Sequence, residues 1–144
     1  MGLIYPTLEL PKLKTPAQEE VSFKKSVPRF DNVSGEFEID KAGRVIMATP
    51  QETFELWVLK VCATERNTRL AYSDKIGVEM RDIAQIKNPS AVRSRIIRTL
   101  TEAVSVHPLT EAVRDFRFKN VADRIYVTFS VQTKQWRSEI AIEL

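Results

Sequence analysis

Glycine is scarce in this chain, with four residues in 144, and histidine and cysteine occur once each. Each shortage excludes something. Gly2, Gly35, Gly43 and Gly77 lie too far apart to build a phosphate-cradling loop. One cysteine forms no internal disulfide, and Cys62 with His107 cannot supply a Cys/His zinc site. Long apolar runs are missing as well, since none approaches the roughly 18–20 residues of a membrane helix. No charged-then-apolar leader precedes a small-residue cleavage site, so the expectation is a soluble cytoplasmic domain without a signal peptide. Charge of one sign is not in excess: 22 Lys+Arg oppose 19 Asp+Glu, and a net +3 does not by itself argue for nucleic acid. At about 100–200 residues per domain the length fits one domain with a tail. Area scaling lets such a domain bury about 68% of its unfolded surface, enough for a genuine core.

Proline, by contrast, is concentrated. Five of the seven fall in the first 50 residues, and Pro6, Pro11, Pro16 and Pro28 all precede Gly35. Proline donates no ladder hydrogen bond and pushes its predecessor toward extended backbone. Residues 1–34 therefore read as an extended N-terminal arm, and 35–144 as the domain proper. Leu3, Ile4, Leu8, Leu10 and Leu13 make the arm too apolar for an ordinary solvated tail. It wraps its own domain, docks on a partner subunit or is simply disordered.

From Glu36 the pattern becomes periodic. Glu36 to Ile39 alternates, Asp40-Lys41-Ala42-Gly43 is turn chemistry and Arg44 to Met47 resumes an extended run, which predicts a β-hairpin. Thr49-Pro50-Gln51-Glu52 is a capping box with proline at the first helical position, opening a helix to about Thr64. Phe54, Val58, Val61 and Cys62 form its stripe, while Leu56, Trp57, Leu59 and Ala63 make it apolar nearly all round, as a central helix is. Asn88-Pro89 opens a second helix whose stripe runs from Val92 to Val104 and which His107-Pro108 ends. Three alternating runs follow, about Phe116–Phe118, Ile125–Val131 and Ile140–Leu144, separated by turns. The expected fold is α+β: an extended arm, a β-hairpin, and two main helices packed on a C-terminal three-stranded antiparallel meander.

The catalytic inventory is thin. His107 reads as a helix terminator and Cys62 as a core residue, and nothing points to a cofactor, a metal or a small-molecule substrate. A muralytic enzyme would need two oriented carboxylates, for which Glu65 and Glu79 are the candidates. The basic face of Lys87, Arg93, Arg95 and Arg98 offers a nucleic-acid module as a third reading. Two features favour assembly. The last strand, from Trp136 to Leu144, has no proline or inward lysine to block strand addition. The connection from Thr64 to Met80 is long and mixes charges with Leu70, Tyr72 and Ile76, as binding surfaces do.

A buried helix ending in Thr64-Glu65-Arg66, then Leu70-Ala71-Tyr72, then Ile76-Gly77-Val78-Glu79-Met80, resembles the XkdS-like proteins of contractile phage tails. These are relatives of the T4-type baseplate wedge protein that initiates the sheath. The resemblance covers roughly Gly35 to Leu144. It implies a structural component at the junction of baseplate and sheath, with no catalytic residues. Its partners are other wedge proteins and sheath subunits, in several copies around a ring, with no nucleic acid and no membrane. It implies a location in the tail baseplate of a virion or a contractile tail-like particle. The family's wedge-contacting turn is Glu-Pro-Arg-like, and Glu65-Arg66 is the nearest match, without the proline. By resemblance Glu65, Arg66, Tyr72, Gly77 and Glu79 contact the wedge. Trp136, Ile140, Ile142 and Leu144 are expected to form the edge to which the first sheath ring adds strands.

Overall fold

The computed structural model describes residues 27–68 and 70–144, so most of the expected arm lies outside the described residues. The first described element is a small sheet. Strand β1 (Phe30–Asp31) pairs antiparallel with β2 (Glu36–Phe37). The segment from Arg44 to Ala48 closes against both. The Arg29 N–H donates to the Ile46 carbonyl (2.8 Å), the Ile46 N–H to the Glu38 carbonyl (2.9 Å) and the Glu38 N–H to the Arg29 carbonyl (3.1 Å). Three extended segments thus form a closed ring of backbone bonds. The predicted hairpin is present, with Ile39 opposite Val45 and Gly43 at φ +77° in the turn. The compositional boundary at Gly35, however, falls inside this sheet. Pro28 lacks a donor, but the Val27 carbonyl and Arg29 N–H carry the bonds on either side of it. Phe37, Ile39, Val45 and Met47 share one face of the hairpin and remain exposed.

Helix α1 (Pro50–Cys62) starts with the predicted capping box complete: the Glu52 N–H donates to Thr49 Oγ1 (3.2 Å) and the Thr49 N–H to Glu52 Oε2 (2.8 Å). Such caps contribute about 1 kcal/mol. Glu52 also ties the small sheet to the helix, because Arg29 Nη2 stands 2.6 Å from Glu52 Oε1 and Nη1 3.4 Å from Glu38 Oε2. A short 3-10 helix (Arg81–Gln85) leads to α2 (Pro89–Ser105), capped by Asn88 Oδ1 on the Ser90 N–H.

The meander follows in the predicted order: β3 (Ala112–Val121), β4 (Arg124–Gln132) and β5 (Arg137–Glu143), antiparallel, with β4 in the centre. A bulge between Arg114 and Arg117 places Asp115 at φ +58°, and Ala122 at φ +52° makes the β3–β4 turn. One face of the sheet carries Val127, Phe129, Val131 and Ile140 into the core against Phe54 and Val58 of α1 and Ile96, Leu100 and Val104 of α2. The other face is wet and charged, with ion pairs Arg117–Glu139, Arg124–Glu143 and Arg137–Asp115. At the exit of α2, buried His107 lies edge-on to Trp57 (4.5 Å between ring centroids) and Phe54 (5.0 Å).

Candidate assembly surfaces

Strand β5 has one neighbour in the sheet, β4, so the other side of β5 is a free edge among the described residues. The bonding register decides which residues offer it. Leu144 and Ile125 exchange both backbone bonds (2.9 and 3.2 Å), and the Thr133 N–H donates to the Trp136 carbonyl (2.9 Å). Bonded and non-bonded pairs alternate in an antiparallel ladder. The bonded partners of Val127, Phe129 and Val131 are therefore Ile142, Ile140 and Ser138. On β5 the residues facing the core are those whose peptide groups turn to β4. Arg137, Glu139, Ala141 and Glu143 turn their N–H and C=O groups to the free edge, and their side chains to the wet face.

The four residues expected at this edge lie on or beside β5 but turn away from its free side. Ile140 is 4% exposed in the chain's own core, and Ile142 and Leu144 pack against that core. Trp136 precedes β5 in a turn held by Thr133 Oγ1, with its indole 6.3 Å from the Phe54 ring. Ile140 is buried and the side chains of Trp136, Ile142 and Leu144 are partly buried against the chain's own core. Period-two alternation separates the two faces of a strand, but not which parity bonds to the neighbour.

The connection between the helices is a clamped loop. Glu65 and Val78 form a parallel bridge, with the Arg66 N–H donating to the Val78 carbonyl and the Val78 N–H to the Thr64 carbonyl (both 2.9 Å). The Glu65 carboxylate accepts from the Met80 N–H (3.2 Å) and the Arg81 N–H (3.3 Å). Arg66 donates to the Gly77 carbonyl (3.1 Å) and pairs with Glu79 (3.0 Å), whose other oxygen meets Arg95 (3.2 Å). The Glu79 N–H donates to Thr99 Oγ1 of α2 (3.0 Å). Gly77 sits at φ +107°, and a Cβ there would lie 2.6 Å from the Thr64 carbonyl oxygen. Glu65, Arg66, Gly77 and Glu79 are therefore brought together, by each other. Tyr72 is not part of the clamp: it is 54% exposed near the tip, beside fully exposed Leu70. It borders a cleft of about 650 Å³ shared with Glu65, Thr68 and Arg81.

The other candidate chemistries are engaged differently. Glu65 is bound by backbone N–H groups and Glu79 by two guanidinium groups. The basic face of α2 is largely neutralised: Arg95 meets Glu79, Arg98 meets Glu102 at 2.8 Å, and Arg93 lies over the Phe118 ring at 5.8 Å. Burial pushes the Cys62 thiol up to about 12, which keeps it protonated and unreactive at neutral pH. No described helix is long and apolar enough to cross a membrane.

Comparison with known proteins adds one positive finding. A family model described as contractile injection system sheath initiator matches residues 26–135. The match spans the small sheet, both helices, the clamped loop, β3 and β4, and ends just before β5. No curated protein matches the chain.

Proposed function

The chain belongs to the contractile injection system sheath initiator family, and from that membership we propose that it joins the baseplate wedge to the sheath and starts the sheath by accepting a strand on β5. Family membership gives it a structural role in sheath assembly. The finer reading rests above all on the free edge of β5, where the peptide groups of Arg137, Glu139, Ala141 and Glu143 face away from the sheet. Unpaired strand edges recruit strands, and main-chain hydrogen bonds then supply affinity. On this reading the clamped loop of residues 64–80 presents Tyr72 to the wedge, with Glu65, Arg66, Gly77 and Glu79 fixing its shape. The protein works without catalysis, in several copies around the baseplate ring. The engagement of Glu65 and Glu79 in holding that loop supports a scaffold more than a muralytic site.

Ala141→Pro tests the proposal. Proline is tolerated on an edge strand when its missing N–H faces outward, as here, so the fold is expected to survive. Mixed with purified sheath subunit, this variant is expected to seed no sheath, scored by electron microscopy. Sheath growth at the wild-type level from a folded Ala141→Pro protein sinks the strand-addition reading.

A further inference from the structure

Helix α1 and strand β5 run side by side. They are stapled near their starts, where Ser138 Oγ donates to Glu55 Oε1 (2.6 Å) and accepts from Gln51 Nε2 (3.3 Å). Farther along, between the second half of the helix and the end of the strand, lies a groove of about 390 Å³. Leu56, Leu59 and Ala63 of the helix region line one side and Ala141 and Ile142 the other, with Phe30 of β1 also in the lining and Asn32, Lys60 and Glu143 as its polar members. The lining is mostly apolar, and the groove shares its β5 wall with the free edge.

That coincidence has a geometric meaning. A strand added to β5 runs about 4.8 Å beyond it, and every second side chain of that strand points to the same face as Ile140 and Ile142. The position next to Ile142 falls at the groove. Two independent features, unpaired peptide groups and an apolar recess one strand-spacing away, therefore call for the same occupant. Peptide groups bind any extended chain, whereas the recess discriminates, as pockets for alternate side chains do in strand addition.

We propose that the groove between α1 and β5 is the specificity pocket for the added strand, taking an apolar side chain from its inward-facing side. The proposal rests on the strand-addition reading and refines it: the strand contributed by the sheath subunit is amphipathic, apolar at alternate positions, with a bulky aliphatic or aromatic residue opposite Ile142. A polar residue there would lose water against Leu56 and Leu59 and forgo the apolar contact they offer.

The test uses the full chain and fluorescent nine-residue peptides tiling the sheath subunit. Three variants are compared: Ala141→Pro at the edge, Leu59→Ser in the groove, and Ala63→Trp, which fills the groove from its exposed rim and leaves the core untouched. The best-binding peptide is expected to alternate apolar and polar residues. Leu59→Ser and Ala63→Trp should each weaken it about tenfold or more, the effect of losing one buried apolar side chain. In methyl spectra of the wild-type chain, that peptide should shift Leu56, Leu59 and Ile142 together. If Ala141→Pro abolishes binding while folded Ala63→Trp binds normally, strand addition stands and the pocket is wrong. If folded Ala141→Pro binds normally, strand addition fails and the pocket proposal fails with it.

Discussion

Arg66 and Glu79 stand on opposite arms of the connection between the helices and meet at 3.0 Å, closing it like a clasp. The Arg66 side chain is 15% exposed and also donates to the Gly77 carbonyl, so the guanidinium grips the opposite arm at two points. Glu79 relays the contact to Arg95, which anchors the clasp on α2. A loop of this length needs such a tie, because its tip carries exposed apolar residues and buries little.

Replacing Arg66 by Met removes the charge-assisted bonds and leaves the Gly77 carbonyl without its side-chain donor. The expected cost is about 1.5–3 kcal/mol in urea unfolding, with faster proteolytic cleavage near Tyr72. Unchanged cleavage kinetics would show that the clasp does not hold the tip.

Gly77→Ala is predicted to be costly for a different reason. The φ of +107° disfavours any side chain, and the added Cβ meets the Thr64 carbonyl oxygen at 2.6 Å. Strain of this kind amounts to about 1–3 kcal/mol. Differential scanning calorimetry checks it, and the same substitution at Gly43, where nothing lies within 4 Å, separates strain at φ +77° from collision.

His107 should make stability depend on pH. Burial pushes its imidazole below the ordinary histidine range, and Nδ1 accepts the Leu109 N–H at 3.1 Å, which needs that nitrogen unprotonated. The unfolded chain therefore takes up the proton first, at about pH 6.5. The contribution is complete above that pH and declines as pH falls below it, toward the lower folded value. Urea midpoints measured between pH 7 and 5 should decline in the wild type, and the decline should shrink in His107→Gln.

Hydrogen exchange reads the parity of β5 directly. The amides of Ser138, Ile140 and Ile142, turned to β4, should be protected, and those of Glu139, Ala141 and Glu143 should exchange fast. Added sheath subunit is expected to protect the second set selectively. Equal protection of both sets in the free protein would contradict the register.

Much of the fold was legible because local chemistry and packing agree. Thr49-Pro50-Gln51-Glu52 and Asn88-Pro89 each specify a cap whatever surrounds them, and both helices begin where those residues put them. The stripes of Phe54 and Val58, and of Ile96 and Leu100, face a common core as their spacing requires. Other features depend on partners distant in sequence. Nothing adjacent to Arg29 announces that Glu52 and Ile46 will receive it, so composition alone places a boundary at Gly35, inside the sheet that Arg29 helps to close. At the candidate site, alternation identified Ile140 and Ile142 as one face. The bonds of Leu144 with Ile125 and of Thr133 with Trp136 decide that this face shares its parity with the paired edge.

The ring of Arg29, Ile46 and Glu38 has a mechanical consequence. Tension applied along the chain at Val27 meets two ladders side by side, one against the segment around Glu38 and one against Ile46 to Ala48. Val27 is bonded to Ala48, which leads directly into the cap of α1, so a pull between these two ends opens the outer ladder from the Val27 bond inward. The load then passes through Arg29 and Glu52 into the capped start of α1. A pull at Val27 thus meets the small sheet and the helix cap before it reaches the core.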